Sequence, residues 1–193
     1  MEAPVSHDQQ LLQEARKSPE AFSLLYRRHY DMVLRYCMHR LFDRSAAEDA
    51  AATVFLKVLE RFDGFTGHDE RTFRNWLYAI ATNVLNSHGR RGRLWDRFLE
   101  LRGRFLPRSH SQPPLDAKER LTILRRAILA LNPHEQAIVT LRYFEGLDTR
   151  QIAETLGGSP ATVRSQLSRA LAKLRRQMQP AGMDEVGEVL THG

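Results

Sequence analysis

The sequence predicts an all-α protein built as two small helical domains joined by a linker. Apolar residues recur at helical spacing through most of the chain, and period-two alternation between turn signals is nearly absent. Ser-Pro, Asn-Pro and Gly-Gly pairs also interrupt the pattern where helices should start and stop.

Residues 1–18 read as an N-terminal tail. Ser18 and Pro19 then start a helix whose apolar face runs through Phe22, Leu25, Tyr26, Met32, Val33 and Tyr36. A second helix is expected to open on a capping box, Ser45 with Glu48 three residues on, and to bury Ala51, Val54, Phe55, Val58, Leu59 and Phe62. The stretch from Asp63 to Asp69, with Gly64 and Gly67, reads as a loop.

The third helix has the cleanest stripe: Phe73, Trp76, Leu77, Ile80, Ala81, Val84 and Leu85. Its opposite face carries Arg74, Asn75, Tyr78, Thr82, Asn83 and Asn86, and it runs out into Gly89, Arg90, Arg91, Gly92 and Arg93, which closes a first domain at 19–92. In the segment 93–117 the periodicity degrades among arginines, Pro107, Pro113 and Pro114, so it reads as a linker with room for a short helix between Leu94 and Leu106.

A second domain, 118–178, begins with Leu121, Leu124 and Ile128 on one face. Asn132, Pro133 and Glu135 cap the next helix, which ends at Gly146; Asp148 opens a short helix bearing Ile152, Ala153 and Leu156. Gly157 and Gly158 turn the chain, and Ser159 with Pro160 starts a last helix with Val163, Leu167, Ala170, Leu171 and Leu174 as its core face. Residues 179–193 form an acidic tail that is expected to be disordered. Asp184, Glu185 and Glu188 there have two readings, a solvated tail or a transient cover for the basic C-terminal domain.

The net charge of +6 and a pI near 9.9 favour phosphate backbones or other anionic partners. No apolar run approaches the roughly 20 residues that span a bilayer, and Met1 to Gln10 lacks a signal-peptide pattern, so a cytoplasmic protein is expected. Cys37 is the single cysteine, and His29, His39, His68, His88, His110 and His134 lack shared metal-ligand spacing. Asp49, Asp63 and Asp69 do not form a catalytic set, and no phosphate-cradling glycine loop or nucleophile motif occurs. No enzymatic activity, small-molecule substrate, cofactor or metal is therefore expected.

The strongest local signal lies between Asp148 and Arg176. Ala153 is small where two helices cross, Gly157 allows a left-handed turn, and Val163 packs the second helix back onto the first, which is helix-turn-helix spacing. Once that core face is fixed, Thr162, Arg164, Ser165, Gln166, Ser168, Arg169 and Lys173 project elsewhere as a basic, hydrogen-bonding surface suited to a major groove.

The stretch "LNPHEQAIVTLRYFEGLDTRQIAETLGGSPATVRSQLSRALAKLRR", Leu131 to Arg176, resembles region 4 of sigma-70 family RNA polymerase sigma factors. "AEDAAATVFLKVLERF" and "FRNWLYAIATNVLNSHGRR", within Ala47 to Arg91, resemble region 2. Two such regions with a short linker resemble the extracytoplasmic-function (ECF) branch, and the likeness covers residues 20 to 178.

The resemblance implies three interfaces. Asp49, Ala52, Thr53 and Leu56 sit where the family docks on core polymerase, although Gln and an acidic residue are usual at the places of Ala52 and Thr53. Phe65, Thr66, His68, Asp69, Asn75, Tyr78 and Asn83 sit where the family melts the minus-10 element and captures an extruded base, and Arg90, Arg91 and Arg93 would neutralise phosphates. Phe73 and Trp76 fall on the apolar stripe and are assigned to the core, while Thr82 and Ser87 replace the family's usual Arg and Asp.

The last helix would read the minus-35 element, with Gln166 where Arg is common. The implied partners are core RNA polymerase, promoter DNA and an anti-sigma factor. Two alternatives stay open: a helix-turn-helix regulator that never joins polymerase, and a sigma mimic that binds an anti-sigma factor.

Overall fold

The computed structural model describes the backbone of residues 7–102 and 117–179, and the side chains of 10–87 and 120–179. The described residues form eight α-helices and no strand: α1 (His7–Glu14), α2 (Pro19–Leu41), α3 (Arg44–Arg61), α4 (Glu70–Arg102), α5 (Ala117–Leu129), α6 (Pro133–Val139), α7 (Thr149–Leu156) and α8 (Pro160–Met178). A 3-10 turn, Phe62–Gly64, follows α3, and a π turn, Thr140–Phe144, follows α6.

Most helix starts fall where the sequence puts them, because their caps satisfy otherwise orphaned backbone donors. Ser18 accepts from the Ala21 amide ahead of α2, and Ser159 from the Thr162 amide ahead of α8. Asn132 with Glu135, and Asp148 with Gln151, make reciprocal capping boxes for α6 and α7. The expected box at Ser45 is not formed. Phe42 ends α2 in the left-handed region (φ 52), and the extended Asp43 directly after it caps α3 by accepting from the Ala46 amide at 2.7 Å. Ser45 is already helical, and Glu48 pairs with Arg44 instead.

Two further expectations change. Within the N-terminal tail, α1 packs on α2 and buries Leu12 and Ala15. The linker expected from residue 93 begins inside a helix, since α4 continues to Arg102. That stretch contains no proline, and a glycine such as Gly89 or Gly92 costs a helix only about 1 kcal/mol.

Helices α2, α3 and α4 pack around Val33, Tyr36, Cys37, Val54, Val58, Leu77 and Ala81, all buried. Phe62, Phe65, Phe73 and Trp76 close one end as an aromatic cluster, with Phe65 and Trp76 ring centroids 4.8 Å apart. The second unit gathers Leu124, Ala127, Ile128, Val139, Ala170 and Leu174 between α5, α6 and α8. Leu59 and Leu121, expected inside, are 59% and 52% exposed. The first core does not stop at the unit boundary: Ile138, Leu141, Leu147, Ile152, Ala153 and Val163 continue it.

Candidate nucleic-acid interface

The helix-turn-helix is set by α7, the Gly157-Gly158 turn and α8. Gly157 ends α7 in the left-handed region (φ 72, ψ 45), and the Gly158 amide donates to the Ala153 carbonyl at 2.9 Å. With Val163, Ala170 and Leu174 buried, Thr162, Arg164, Ser165, Ser168, Arg169 and Lys173 are exposed along one side of α8. Arg169 donates to the Ser165 hydroxyl at 2.9 Å, which stiffens that row. Gln166 is half-buried, with its Oε1 3.0 Å from His134 Nε2. Lys173 is paired with Glu135 at 2.6 Å, so part of its charge is already met within the chain. Arg164 has no ion-pair partner among the described residues and is the unmet cation near the start of the helix.

Around the N-terminus of α4 the expected minus-10 residues separate into two groups. Thr66, His68, Asp69 and Asn83 are exposed. Asp69 also caps α4, accepting from the Thr72 amide at 2.8 Å and from its hydroxyl, and the amide bond first of all holds its pKa below the usual value. Phe65 and Tyr78, expected to meet DNA, are buried here. Phe65 belongs to the aromatic cluster, its carbonyl takes a hydrogen bond from Arg16, and its ring fills the space beside Gly67 that a Cβ would need. Tyr78, expected on the polar face of α4, is 1% exposed and donates to Glu145 Oε2 at 2.9 Å.

Asn75 is half-buried with its amide 3.4 Å from Glu154. Thr82 is buried and hydrogen-bonded to the Tyr36 hydroxyl at 2.7 Å. Arg90, Arg91 and Arg93 lie on the C-terminal part of α4, and their side chains are outside the described residues, as is the acidic tail at 180–193.

One side of α3 presents a third surface. Asp49, Ala52 and Leu56 are exposed, Leu56 at 62%, while Thr53 is half-buried and gives its hydroxyl back to the Asp49 carbonyl at 2.9 Å. Leu59, expected in the core because it shares the periodicity of the buried stripe, extends this surface by three residues. Arg35, His39, Arg40 and Glu145 are also placed at the junction of the two units; no local sequence signal marks them. Among the described residues, no His, Cys, Asp and Glu group could hold a metal ion, and no helix is long and apolar enough to cross a membrane.

Two helical units, one ending in a helix-turn-helix with a basic outer face, define a two-unit helix-turn-helix protein with a surface of the kind that meets DNA. A family model described as Sigma-70 region 2 matches residues 25–94, and one described as Sigma-70, region 4 matches residues 121–174. The sigma factor YlaC of Bacillus subtilis is 30% identical over 88% of this chain and 98% of its own length. The ECF sigma factor BldN of Streptomyces coelicolor is 32% identical over 81% of this chain, which spans 60% of BldN. Among solved structures, CnrH in complex with the cytosolic domain of CnrY has a TM-score of 0.64 at 22% identity, covering 91% of this chain and 99% of that one. RpoE of Bartonella quintana with the anti-sigma factor NepR has a TM-score of 0.57 at 19% identity, covering 82% and 96%. Both share the fold.

The chain belongs to the sigma-70 family, in its extracytoplasmic-function branch. It is a transcription initiation factor that directs core RNA polymerase to promoters.

Proposed function

We propose that α8 reads the minus-35 element through Arg164, Gln166 and Ser168, with Thr162, Ser165, Arg169 and Lys173 setting its position on the phosphates. The loop before α4 and the outer side of that helix take the minus-10 strand, through Thr66, His68, Asp69, Asn75 and Asn83, with Tyr78 joining once uncovered. Asp49, Ala52 and Leu56, extended by Leu59, dock on core polymerase, with Thr53 supporting the turn of helix. The observation that carries this reading is the exposed row of basic and hydroxyl side chains on α8, opposite a buried Val163, Ala170 and Leu174.

The chemistry of RNA synthesis stays with the polymerase, so the chain acts as a non-enzymatic subunit and works in the cytoplasm. An anti-sigma factor is a further partner, by analogy with RpoE in its complex with the anti-sigma factor NepR. Run-off transcription with core polymerase on a pool of random-sequence templates tests the reading. Discrete start sites should arise only when the chain is added, and Arg164→Ala should weaken them. A pool that yields no start site, while a control sigma factor yields its own, would overturn it.

A further inference from the structure

One polar cluster ties the two units together. Glu145 leaves the π turn with its side chain 0% exposed, and three groups of the first unit converge on it. Tyr78 donates to Oε2 at 2.9 Å, Arg35 donates to Oε2 at 3.2 Å, and His39 Nδ1 lies 3.3 Å from Oε1. Burial alone would push this carboxyl up, but the hydrogen bonds from His39 and Tyr78 and the charge of Arg35 outweigh it and hold the group below its ordinary value.

The neighbouring contacts run the same way. Arg40 donates to the Pro133 carbonyl at 3.2 Å, His39 lies against the Phe144 ring at 4.4 Å, and Asn75 meets Glu154. The π turn is what makes this possible. Its wider winding lets the Glu145 amide reach back to the Thr140 carbonyl, and Gly146 follows in the left-handed region (φ 70), so the carboxylate is turned towards α2 and α4.

The junction covers the polar face of α4, where Tyr78 and Asn75 lie, and leaves the outer row of α8 and the Leu56 side of α3 exposed. A guanidinium, an imidazole and a phenol that converge on one carboxylate from one side are also the donor set of a phosphate site. We propose that Arg35, His39 and Tyr78 form a phosphodiester site for the melted DNA strand, and that Glu145 fills it as an internal anion while the units are closed. The inference rests on the assignment of α4 to the minus-10 strand and adds two residues of α2 to that path. Closure and strand binding are then mutually exclusive, because both need the same three donors.

The test uses the full chain, small-angle X-ray scattering for unit separation, and fluorescence anisotropy with a short labelled single-stranded oligodeoxynucleotide of random sequence. Glu145→Gln keeps the shape of the side chain and removes its charge, so it should raise the radius of gyration. It should also tighten strand binding by about tenfold, or about 1.4 kcal/mol, as the competent fraction rises. Arg35 is half exposed, so Arg35→Glu should be tolerated by the fold; it should open the chain as well, yet weaken strand binding. Combining Arg35→Glu with Glu145→Arg should restore the compact form.

Opening by Glu145→Gln without tighter strand binding would overturn the proposal, and so would a Glu145→Gln chain that stays closed. Neither measurement needs polymerase. Failure of run-off transcription by the unaltered chain would count against the sigma-factor interfaces, whereas success there with an unchanged Glu145→Gln would count against this site alone.

Discussion

Gly157→Ala isolates the contribution of backbone conformation to the promoter-reading motif. A Cβ at Gly157 would meet nothing within 4 Å, so the substitution creates no clash and removes no packing. What it changes is the cost of φ 72, a left-handed conformation that disfavours an L residue by about 1 to 2 kcal/mol. Gly158 is the natural control, since a Cβ there also meets nothing and its φ is not in the left-handed region. Gly158→Ala stiffens the unfolded chain and should be neutral or stabilising by up to about 1 kcal/mol. The two adjacent variants should therefore differ by about 1 to 3 kcal/mol, which for a chain of this size is about 2 to 12 °C in Tm. Thermal unfolding followed by far-UV circular dichroism measures the difference directly. Gly157→Asn should recover part of the loss, because Asn tolerates the left-handed region. If Gly158→Ala proved as costly as Gly157→Ala, the turn conformation would not be what stabilises the motif and the reasoning would fail.

Gln166→Ala should relax discrimination at one minus-35 position by about 1 to 3 kcal/mol, with adenine the preferred base, because Gln pairs with adenine N6 and N7; single-base promoter variants read this out. Lys173→Ala should weaken all sequences alike and lower the salt slope by about 1, and Glu135→Gln, which frees Lys173 from its 2.6 Å pair, should do the reverse. Leu56→Asp should weaken core polymerase binding by more than about 1 kcal/mol while helix content stays unchanged, since the side chain is 62% exposed; retained binding in a competition assay would remove α3 from the interface. Acid should open the chain: the Glu145 carboxyl is held below its ordinary 4.5 by His39 and Arg35 of α2 and Tyr78 of α4, and Arg74 faces the Tyr78 phenol. Closure is thus fully supported above 4.5 and lost as pH falls through the lowered value, so the radius of gyration should rise across that window in the unaltered chain and not in Glu145→Gln.

Local chemistry made much of this fold legible. Ser18, Asn132, Asp148 and Ser159 cap helices where their side chains compete for orphan amides, and the stripe from Phe73 to Leu85 is buried apart from the half-exposed Trp76. Ambiguity entered where two residues could do one job. Asp43 and Ser45 are both good caps, and the left-handed Phe42 decided for the earlier one by ending α2 immediately before it. Leu59 has the period of a core residue but faces outward, because no helix of the described chain covers that side of α3. Tyr78 failed in the opposite direction. A tyrosine on a polar stripe reads as surface until Glu145, 67 residues away, supplies a partner for its hydroxyl. The junction as a whole was invisible for that reason: its contacts join residues far apart in sequence, and each member alone has an ordinary solvated neighbourhood in the pattern.

The position of the covered and uncovered surfaces limits how the closed chain can be opened. A partner shifts a two-state equilibrium only by the difference in its affinity for the two states. Leu56, Ala52 and Asp49 on α3 are exposed in the closed form, and so is the outer row of α8. Docking on α3 alone, or on α8 alone, gains the same contacts in either state and leaves the equilibrium where it was. Opening has to be driven by a partner that reaches what closure hides, which includes Tyr78 on α4 and the Glu145 carboxylate itself, or by one that holds α3 and α8 farther apart than closure permits. Promoter DNA can do the first through its melted strand, and a core polymerase that engages both units at separate places can do the second. On that argument the fragment containing only α1 to α4 should bind single strands more tightly than the whole chain does, and a core that engages both units should bring the whole chain up to the affinity of the fragment.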